Sequence, residues 1–137
     1  MGIPVVNMGK MLFFYQDLLG FTIRSDEIEE GYFLSSILNI PNVRIHVVKM
    51  VTPNGWMLEL LQYLSCEDVQ VPRMRKISDV GIAHMALTVS NVDFVYDLMM
   101  KNNVSCLSSP CISPSGKAKV FFCQDPEFNY LELVEMI

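Results

Sequence analysis

The amino-acid sequence predicts an α+β fold in which a βαβββ module occurs twice within a single domain. The chain has 137 residues, the length of one ordinary domain, and 51% of them are apolar, which is enough to bury a core. Hydrophobic periodicity indicates a strand, a helix and then a series of strands in each half of the chain. Short stretches of the first half also match stretches of the second half after a shift of 73 or 84 residues.

The internal repeat can be checked by arithmetic on the sequence. A shift of 73 residues places Leu58-Glu59-Leu60 on Leu131-Glu132-Leu133, and a shift of 84 places Asn7 on Asn91. The offset changes because the second copy is shorter in its middle. Two copies of one supersecondary unit in a small domain support a fold more strongly than any single motif does.

The first copy begins with a strand and a helix. Residues 1–6 are mostly apolar, and Pro4 among them favours an edge or terminal strand. Asn7 is a suitable helix N-cap and Gly20 a suitable C-terminal stop. Between these two residues, apolar side chains recur at helical spacing, at Met8, Met11, Leu12, Tyr15, Leu18 and Leu19.

Four further strands are predicted in the first copy. Residues 21–24 and 31–37 read as strands separated by an acidic turn at residues 26–30. Alternation predicts a strand over residues 42–51. The Pro53-Asn54-Gly55 turn then leads into a returning strand over residues 56–63.

The second copy follows a linker. Residues 64–80 lack clear periodicity, carry the basic residues Arg73, Arg75 and Lys76, and are predicted to join modules 1–63 and 81–137. The predicted elements of the second copy are a strand at 81–89, a helix capped by Asn91 and ended by Asn102-Asn103, a strand at 104–107, a Ser/Pro-rich loop at 108–116, a strand at 117–123, a turn at 125–129 and a strand at 130–136.

Composition and charge argue against several classes of function. The chain carries 15 acidic and 10 basic residues, whereas a nucleic-acid-binding protein needs a basic surface to displace counterions. No apolar run reaches the roughly 18–20 residues needed to cross a bilayer, and the N-terminus does not resemble a signal peptide. The four cysteines form no CxxC pair, which favours free, inert thiols. We therefore expect a cytoplasmic protein with no nucleic-acid or membrane partner.

Three residues are candidates for chemistry because each is a polar group in an apolar strand. Glu59 and Glu132 each lie between two leucines, and His84 lies on the face opposite Met85 and Leu87. A buried carboxylate or imidazole without a partner costs several kcal/mol, so the three groups are most stable if they meet one another or a cation. One histidine and two carboxylates suit a divalent metal. Taken singly, each is more often a solvated side chain, but the equivalence of the two glutamates in the repeat favours a shared site.

Four stretches carry a resemblance to a known family: FFYQDLLGF at residues 13–21, GWMLELLQY at 55–63, GIAHMALTV at 81–89 and DPEFNYLELVE at 125–135. Together they resemble the motifs of the vicinal oxygen chelate superfamily. That superfamily includes glyoxalase I, methylmalonyl-CoA epimerase, fosfomycin- and bleomycin-resistance proteins and extradiol dioxygenases. The resemblance covers almost the whole chain and is specific for the superfamily rather than for one reaction.

The resemblance implies that the two modules form a glyoxalase-like open barrel of curved mixed sheets around one divalent metal ion (Zn, Ni, Co, Mn or Fe). Glu59, His84 and Glu132 match three of the family's ligand positions. The fourth position, a histidine of the first strand, falls on the residue that would precede Met1. The resemblance also implies that Glu59 and Glu132 are catalytic, one of them as the proton-transferring base.

These residues favour a metal-dependent glyoxalase-type lyase or isomerase, similar to lactoylglutathione lyase, which stabilises an enediolate on a small vicinal-oxygen substrate. One alternative is a metal-free binding or resistance protein of the bleomycin-resistance type. Acyl-CoA epimerase and extradiol-type dioxygenase activities are further alternatives within the superfamily. Because all three candidate ligands are retained, the enzyme is favoured over the binding protein. We also expect a homodimer.

Overall fold

The computed structural model describes residues 1–65 and 71–137, which divide into two compact units, Met1–Pro72 and Arg73–Ile137. Over these described residues the strands form two four-stranded sheets, one in each unit, and each sheet mixes parallel and antiparallel pairs. The predicted α+β class and the repeated module are therefore confirmed. Residues 66–70 of the predicted linker, with Cys66 among them, lie outside the described residues.

Unit 1 contains strands β1 (Gly2–Pro4), β2 (Thr22–Glu30), β3 (Arg44–Val51) and β4 (Met57–Tyr63), with helices α1 (Met8–Leu12) and α2 (Tyr32–Leu38). A π-helical turn, Phe13–Leu18, continues α1. The sheet order is β1-β4-β3-β2, with β1 parallel to β4 and the other pairs antiparallel. The expected strand with Pro4 is thus an edge strand, as the sequence predicts.

The first helix begins and ends where the sequence predicts. The side-chain oxygen of Asn7 accepts a hydrogen bond from the backbone N–H of Lys10 at 3.0 Å, which satisfies one free donor of the first turn. Gly20 has a φ of 72°, a left-handed conformation that costs glycine little. Met11, Phe14 and Tyr15 are buried on the side of the helix that faces the sheet.

Two predictions for unit 1 are wrong. The acidic residues 26–30 belong to strand β2 and do not form a turn, and residues 31–37, predicted as a strand, lie largely within helix α2. β2 tolerates its acidic residues because it is a sheet edge whose carboxylates meet basic side chains and an imidazole of β3. The His46 ring lies 2.6 Å from Asp26, and the Arg44 guanidinium lies 3.1 Å from Glu30.

Helix α2 contacts the sheet through Leu34, whereas most of its other apolar side chains are exposed. Leu34 packs against the buried cluster of Val43, Ile45 and Val47 on β3 and the segment before it. Gly31, with a φ of 111°, separates β2 from the helix. In a segment this short, the apolar residues could equally be read as a strand, and only the tertiary contact with β3 distinguishes the two.

Unit 2 contains strands β5 (His84–Thr88), β6 (Cys111–Ile112), β7 (Ala118–Gln124) and β8 (Tyr130–Met136), with helix α3 (Val92–Lys101). The sheet order is β5-β8-β7-β6, with β5 parallel to β8. Asn91 caps α3 by accepting a hydrogen bond from the backbone N–H of Phe94 at 2.8 Å. Over residues 1–65 and 71–137, no helix is long and apolar enough to span a bilayer.

A third prediction, a strand over residues 104–107, is also wrong. In the described part of unit 2 this segment makes only an isolated antiparallel bridge, between Cys106 and Cys123. The short strand β6 lies inside the predicted loop 108–116 and pairs with β7. Pro110 has no backbone N–H to donate, which favours an interruption between the bridge and β6.

The strand registers confirm the internal repeat. Gly2 is paired with Glu59 in unit 1, and Ala86 is paired with Glu132 in unit 2. These pairs reproduce the offsets of 84 and 73 found in the sequence. The two glutamates therefore hold equivalent positions, each on a strand that pairs in parallel with the first strand of its module.

The turn between β7 and β8 is held by a buried carboxylate. Asp125 is only 3% exposed and accepts hydrogen bonds from the backbone N–H groups of Glu127 and Asn129, both at 2.9 Å. It also accepts one from the side-chain amide of Asn129 at 2.8 Å. This turn determines where β8, and with it Glu132, enters the sheet.

Candidate functional site

Two of the three predicted site residues meet in unit 2. His84 is the first residue of β5 and Glu132 lies in the middle of β8. Alternation buries Leu131 and Leu133 in the core, so Glu132 lies on the opposite face of the sheet. The Nε2 atom of His84 lies 3.1 Å from Oε2 of Glu132. The structure thus joins an imidazole and a carboxylate on one sheet face.

The pair is partly sheltered by an aromatic side chain. The Phe122 ring packs edge-on against the His84 ring, with the centroids 5.3 Å apart, and Phe122 is the β7 partner of Glu132. His84 and Glu132 keep 34% and 26% of their side-chain surface exposed. A small molecule or ion can therefore reach both groups, while Phe122 restricts the approach of water from one side.

The separation of these two atoms fits two ligands of one divalent ion. Ligand atoms each about 2.0–2.2 Å from a metal, at tetrahedral or octahedral angles, are roughly 3.0–3.5 Å apart. The observed 3.1 Å lies within this range. Within either unit, as far as the residues are described, no group of three His, Cys, Asp or Glu side chains is arranged to hold a metal.

The third predicted residue, Glu59, lies in unit 1 beside a lysine. Lys49 Nζ lies 3.9 Å from Oε1 of Glu59 and 3.5 Å from Oε1 of Glu29. All three side chains are about one-third exposed, so the pairs are screened by water and individually weak. Glu59 therefore faces a cation that belongs to the chain itself.

A small apolar cavity lies beside this charged group. Its volume is about 140 Å³, and Glu29, Lys49 and Glu59 contribute its charged lining. The rest of its wall comes from α2, β3 and β4, through Leu34, Leu38, Ile45, Val47, Leu61 and Tyr63. The cavity is open to solvent, so its apolar wall offers a shallow contact surface for a small ligand.

Sequence reasoning missed two neighbours of the candidate ligands. Lys49 is the β3 partner of Glu59, and Phe122 is the β7 partner of Glu132. The 73-residue offset that aligns the two glutamates also aligns Lys49 with Phe122. Applying the same offset to the strand that pairs with each glutamate would have identified both residues. It would also have shown that Glu59 has a lysine beside it, whereas Glu132 has a phenylalanine ring.

Comparisons with known proteins agree with this architecture. The family model described as the Glyoxalase/Bleomycin resistance protein/Dioxygenase superfamily matches residues 1–133. No curated protein sequence matches the chain significantly. Among solved structures, a glyoxalase family protein from Bacillus cereus is similar at a TM-score of 0.90 and 17% identity, over 100% of this chain and 91% of that one.

Two further solved structures are similar in fold. The trypanothione-dependent glyoxalase I of Leishmania major matches with a TM-score of 0.69 and 20% identity, over 98% of this chain and 83% of that one. The fosfomycin resistance protein FosX of Listeria monocytogenes matches with a TM-score of 0.68 and 12% identity, over 100% and 90%. With the family model covering nearly the whole sequence, the chain belongs to the Glyoxalase/Bleomycin resistance protein/Dioxygenase superfamily, the vicinal oxygen chelate superfamily that its motifs resemble.

Proposed function

We propose that this protein is a divalent-metal-dependent lyase or isomerase of the glyoxalase type, acting on a small molecule with two adjacent oxygen atoms. The observation that carries the proposal is the 3.1 Å approach of His84 Nε2 to Glu132 Oε2, on a partly exposed sheet face of a chain that belongs to this superfamily. The substrate class follows the solved relative named as a glyoxalase I.

Each candidate residue has a defined part in this proposal. His84 would bind the ion through Nε2 as a neutral imidazole, and Glu132 would bind it through a carboxylate oxygen. Glu59 is proposed as the third protein ligand. When bound, Zn, Ni, Co, Mn or Fe would act as a Lewis acid toward the two substrate oxygens. Glu59 or Glu132 would remove a proton from one substrate carbon and return it to its neighbour.

The proposal is tested by loading the metal-free protein with each metal in turn. Turnover of the hemithioacetal formed from a 2-oxoaldehyde and glutathione is then followed by thioester absorbance. We expect activity with at least one metal, loss of it on chelation and recovery on reloading. Metal binding without turnover of this substrate, or of an acyl-CoA or a catechol, would contradict an enzymatic role.

A second candidate, a metal-free binding protein, is supported by the pairing of Glu59 with Lys49. An ammonium group near Glu59 offers that carboxylate a positive charge without a metal. The adjacent apolar cavity offers space for a small ligand. If the protein takes up no metal yet binds small aromatic compounds, this second function replaces the first.

Replacing Lys49 by methionine distinguishes the two candidates. If Glu59 is a metal ligand, Lys49→Met removes a competing, repelling charge, and we expect metal affinity to rise roughly three- to tenfold. Isothermal titration at low ionic strength measures the change. Lys10→Met, at an exposed site on α1, is the matched control and should leave affinity unaltered. An unchanged affinity in Lys49→Met would remove Glu59 from the metal site.

A further inference from the structure

We propose that Cys106 and Cys123 are a dithiol pair that a low-molecular-weight disulfide converts into an intramolecular disulfide. The two residues face each other across an antiparallel bridge within unit 2. Both, together with Cys111, are free thiols in this structure. The proposal is independent of the metal-dependent activity, because neither cysteine is among the candidate ligands.

The hydrogen bonds around the bridge define the geometry of the pair. The backbone N–H of Leu107 donates to the carbonyl of Phe122 at 2.8 Å, and the N–H of Gln124 donates to the carbonyl of Ser105 at 2.9 Å. Because these bonds flank the bridge, Cys106 and Cys123 form a non-hydrogen-bonded antiparallel pair. Such pairs have Cα atoms about 4.5 Å apart and side chains on the same face. A disulfide spans Cα separations of about 4.4–6.8 Å.

A single side-chain rotation would bring the two sulfur atoms together. In the reduced protein the Cys106 thiol donates a weak hydrogen bond to the carbonyl oxygen of Val104, at 3.7 Å. Rotation of Cys106 about its Cα–Cβ bond would exchange this contact for one with Cys123, whose side chain is fully buried. The backbone need not move, because the bridge already sets the spacing.

The burial of the pair determines how it reacts. Burial raises the pKa of the Cys106 thiol, and burial, then the proximity of Cys106 and of Asp125, raises the pKa of Cys123 to about 12. Both groups are therefore protonated thiols at neutral pH, which are poor nucleophiles. A raised pKa makes the thiolate scarcer, so oxidation is slow near pH 7 and becomes faster as the pH rises.

The reaction balances as a thiol–disulfide exchange. Cys106, the more exposed of the two, loses its proton and attacks one sulfur of oxidised glutathione, which releases one glutathione thiolate. Cys123 then loses its proton, attacks the Cys106 sulfur and releases the second glutathione. The two cysteine thiols are oxidised, and one external disulfide is reduced to two thiols. The product links residues 106 and 123, and residue 123 directly follows Phe122, whose ring packs against His84.

The test uses the full chain with Cys66→Ser and Cys111→Ser, which leaves Cys106 and Cys123 as its remaining cysteines. After incubation with oxidised glutathione near pH 9, we expect a mass lower by two hydrogens, a peptide crosslinked between the two residues and the loss of both thiols. The Tm should rise by about 5–10 °C, because a loop is closed in the unfolded chain. Dithiothreitol should reverse the change.

Two variants complete the experiment. Cys106→Ser in the same background should show neither the mass change nor the rise in Tm. The native chain, which also carries Cys66 and Cys111, should form the same crosslink. A stable glutathione adduct on Cys106 that Cys123 never displaces would overturn the proposal. So would two unreacted thiols after prolonged incubation near pH 9, where the thiolate fraction is about 100 times that at pH 7.

Discussion

Replacing Glu132 by glutamine is expected to abolish turnover and to weaken divalent-metal binding by about 100-fold or more. The amide has nearly the same shape as the carboxylate but lacks the charge and one acceptor. It would leave His84, 3.1 Å away in the native protein, without its anionic partner. Because both side chains are partly exposed, the substitution should cost little folding stability.

The measurement pairs metal titration with steady-state kinetics of the reconstituted protein. Glu27→Gln is the matched control, since Glu27 is an exposed carboxylate of β2 whose loss removes the same charge from the chain. Its metal affinity and turnover should equal those of the native protein. A Glu132→Gln protein that binds metal and turns over normally would exclude Glu132 from the site.

Replacing Asp125 by alanine is expected to lower the free energy of unfolding by about 2–3 kcal/mol. Asp125 accepts two backbone hydrogen bonds and one from the side chain of Asn129, while only 3% of its surface is exposed. Alanine removes every one of these acceptors and leaves the donors of a half-buried turn without their partner.

Urea denaturation measures this loss, and the slope of the transition should stay constant. Asp97→Ala, on the exposed side of α3, removes a carboxylate without removing a buried acceptor and should change stability by less than about 0.5 kcal/mol. A loss of similar size in the two variants would mean that the turn before β8 is held by something other than Asp125. If Asp125→Ala also weakens metal binding, the position of Glu132 depends on this turn.

Most of the fold follows from local signals that tertiary contacts do not override. Asn7 and Asn91 cap the two predicted helices through their own side-chain oxygens, a contact that requires only neighbouring residues. The 73- and 84-residue offsets appear again as strand registers. Both the helix caps and the repeated motifs depend on only a few residues, so they can be recognised in a single sequence.

The errors arise where a distant strand decides the local conformation. The acidic β2 is a strand because Arg44 and Lys49 of β3 compensate its carboxylates and His46 contacts one of them. None of these contacts is local in sequence. Helix α2 is set by packing of Leu34 against Val47 and its neighbours. Propensity alone cannot anticipate either contact.

The sequence predicts the polar residues of the candidate site but not the side chains that lie beside them. His84 and Glu132 stand out because a polar group in an apolar strand needs a reason, and the structure brings the two together. Lys49 and Phe122 look like ordinary strand residues until the sheet places them opposite the two glutamates. The Cys106–Cys123 bridge depends in the same way on register, since 16 residues separate the two cysteines in the sequence.

The most direct test of the central claim, that His84 and Glu132 hold a divalent metal, is equilibrium dialysis of the metal-free protein followed by elemental analysis. We expect about one equivalent of at least one of Zn, Ni, Co, Mn or Fe per chain, and less than about a tenth of an equivalent in His84→Ala and in Glu132→Gln. A native protein that takes up less than about a tenth of an equivalent of every metal, or variants that bind as the native protein does, would contradict it.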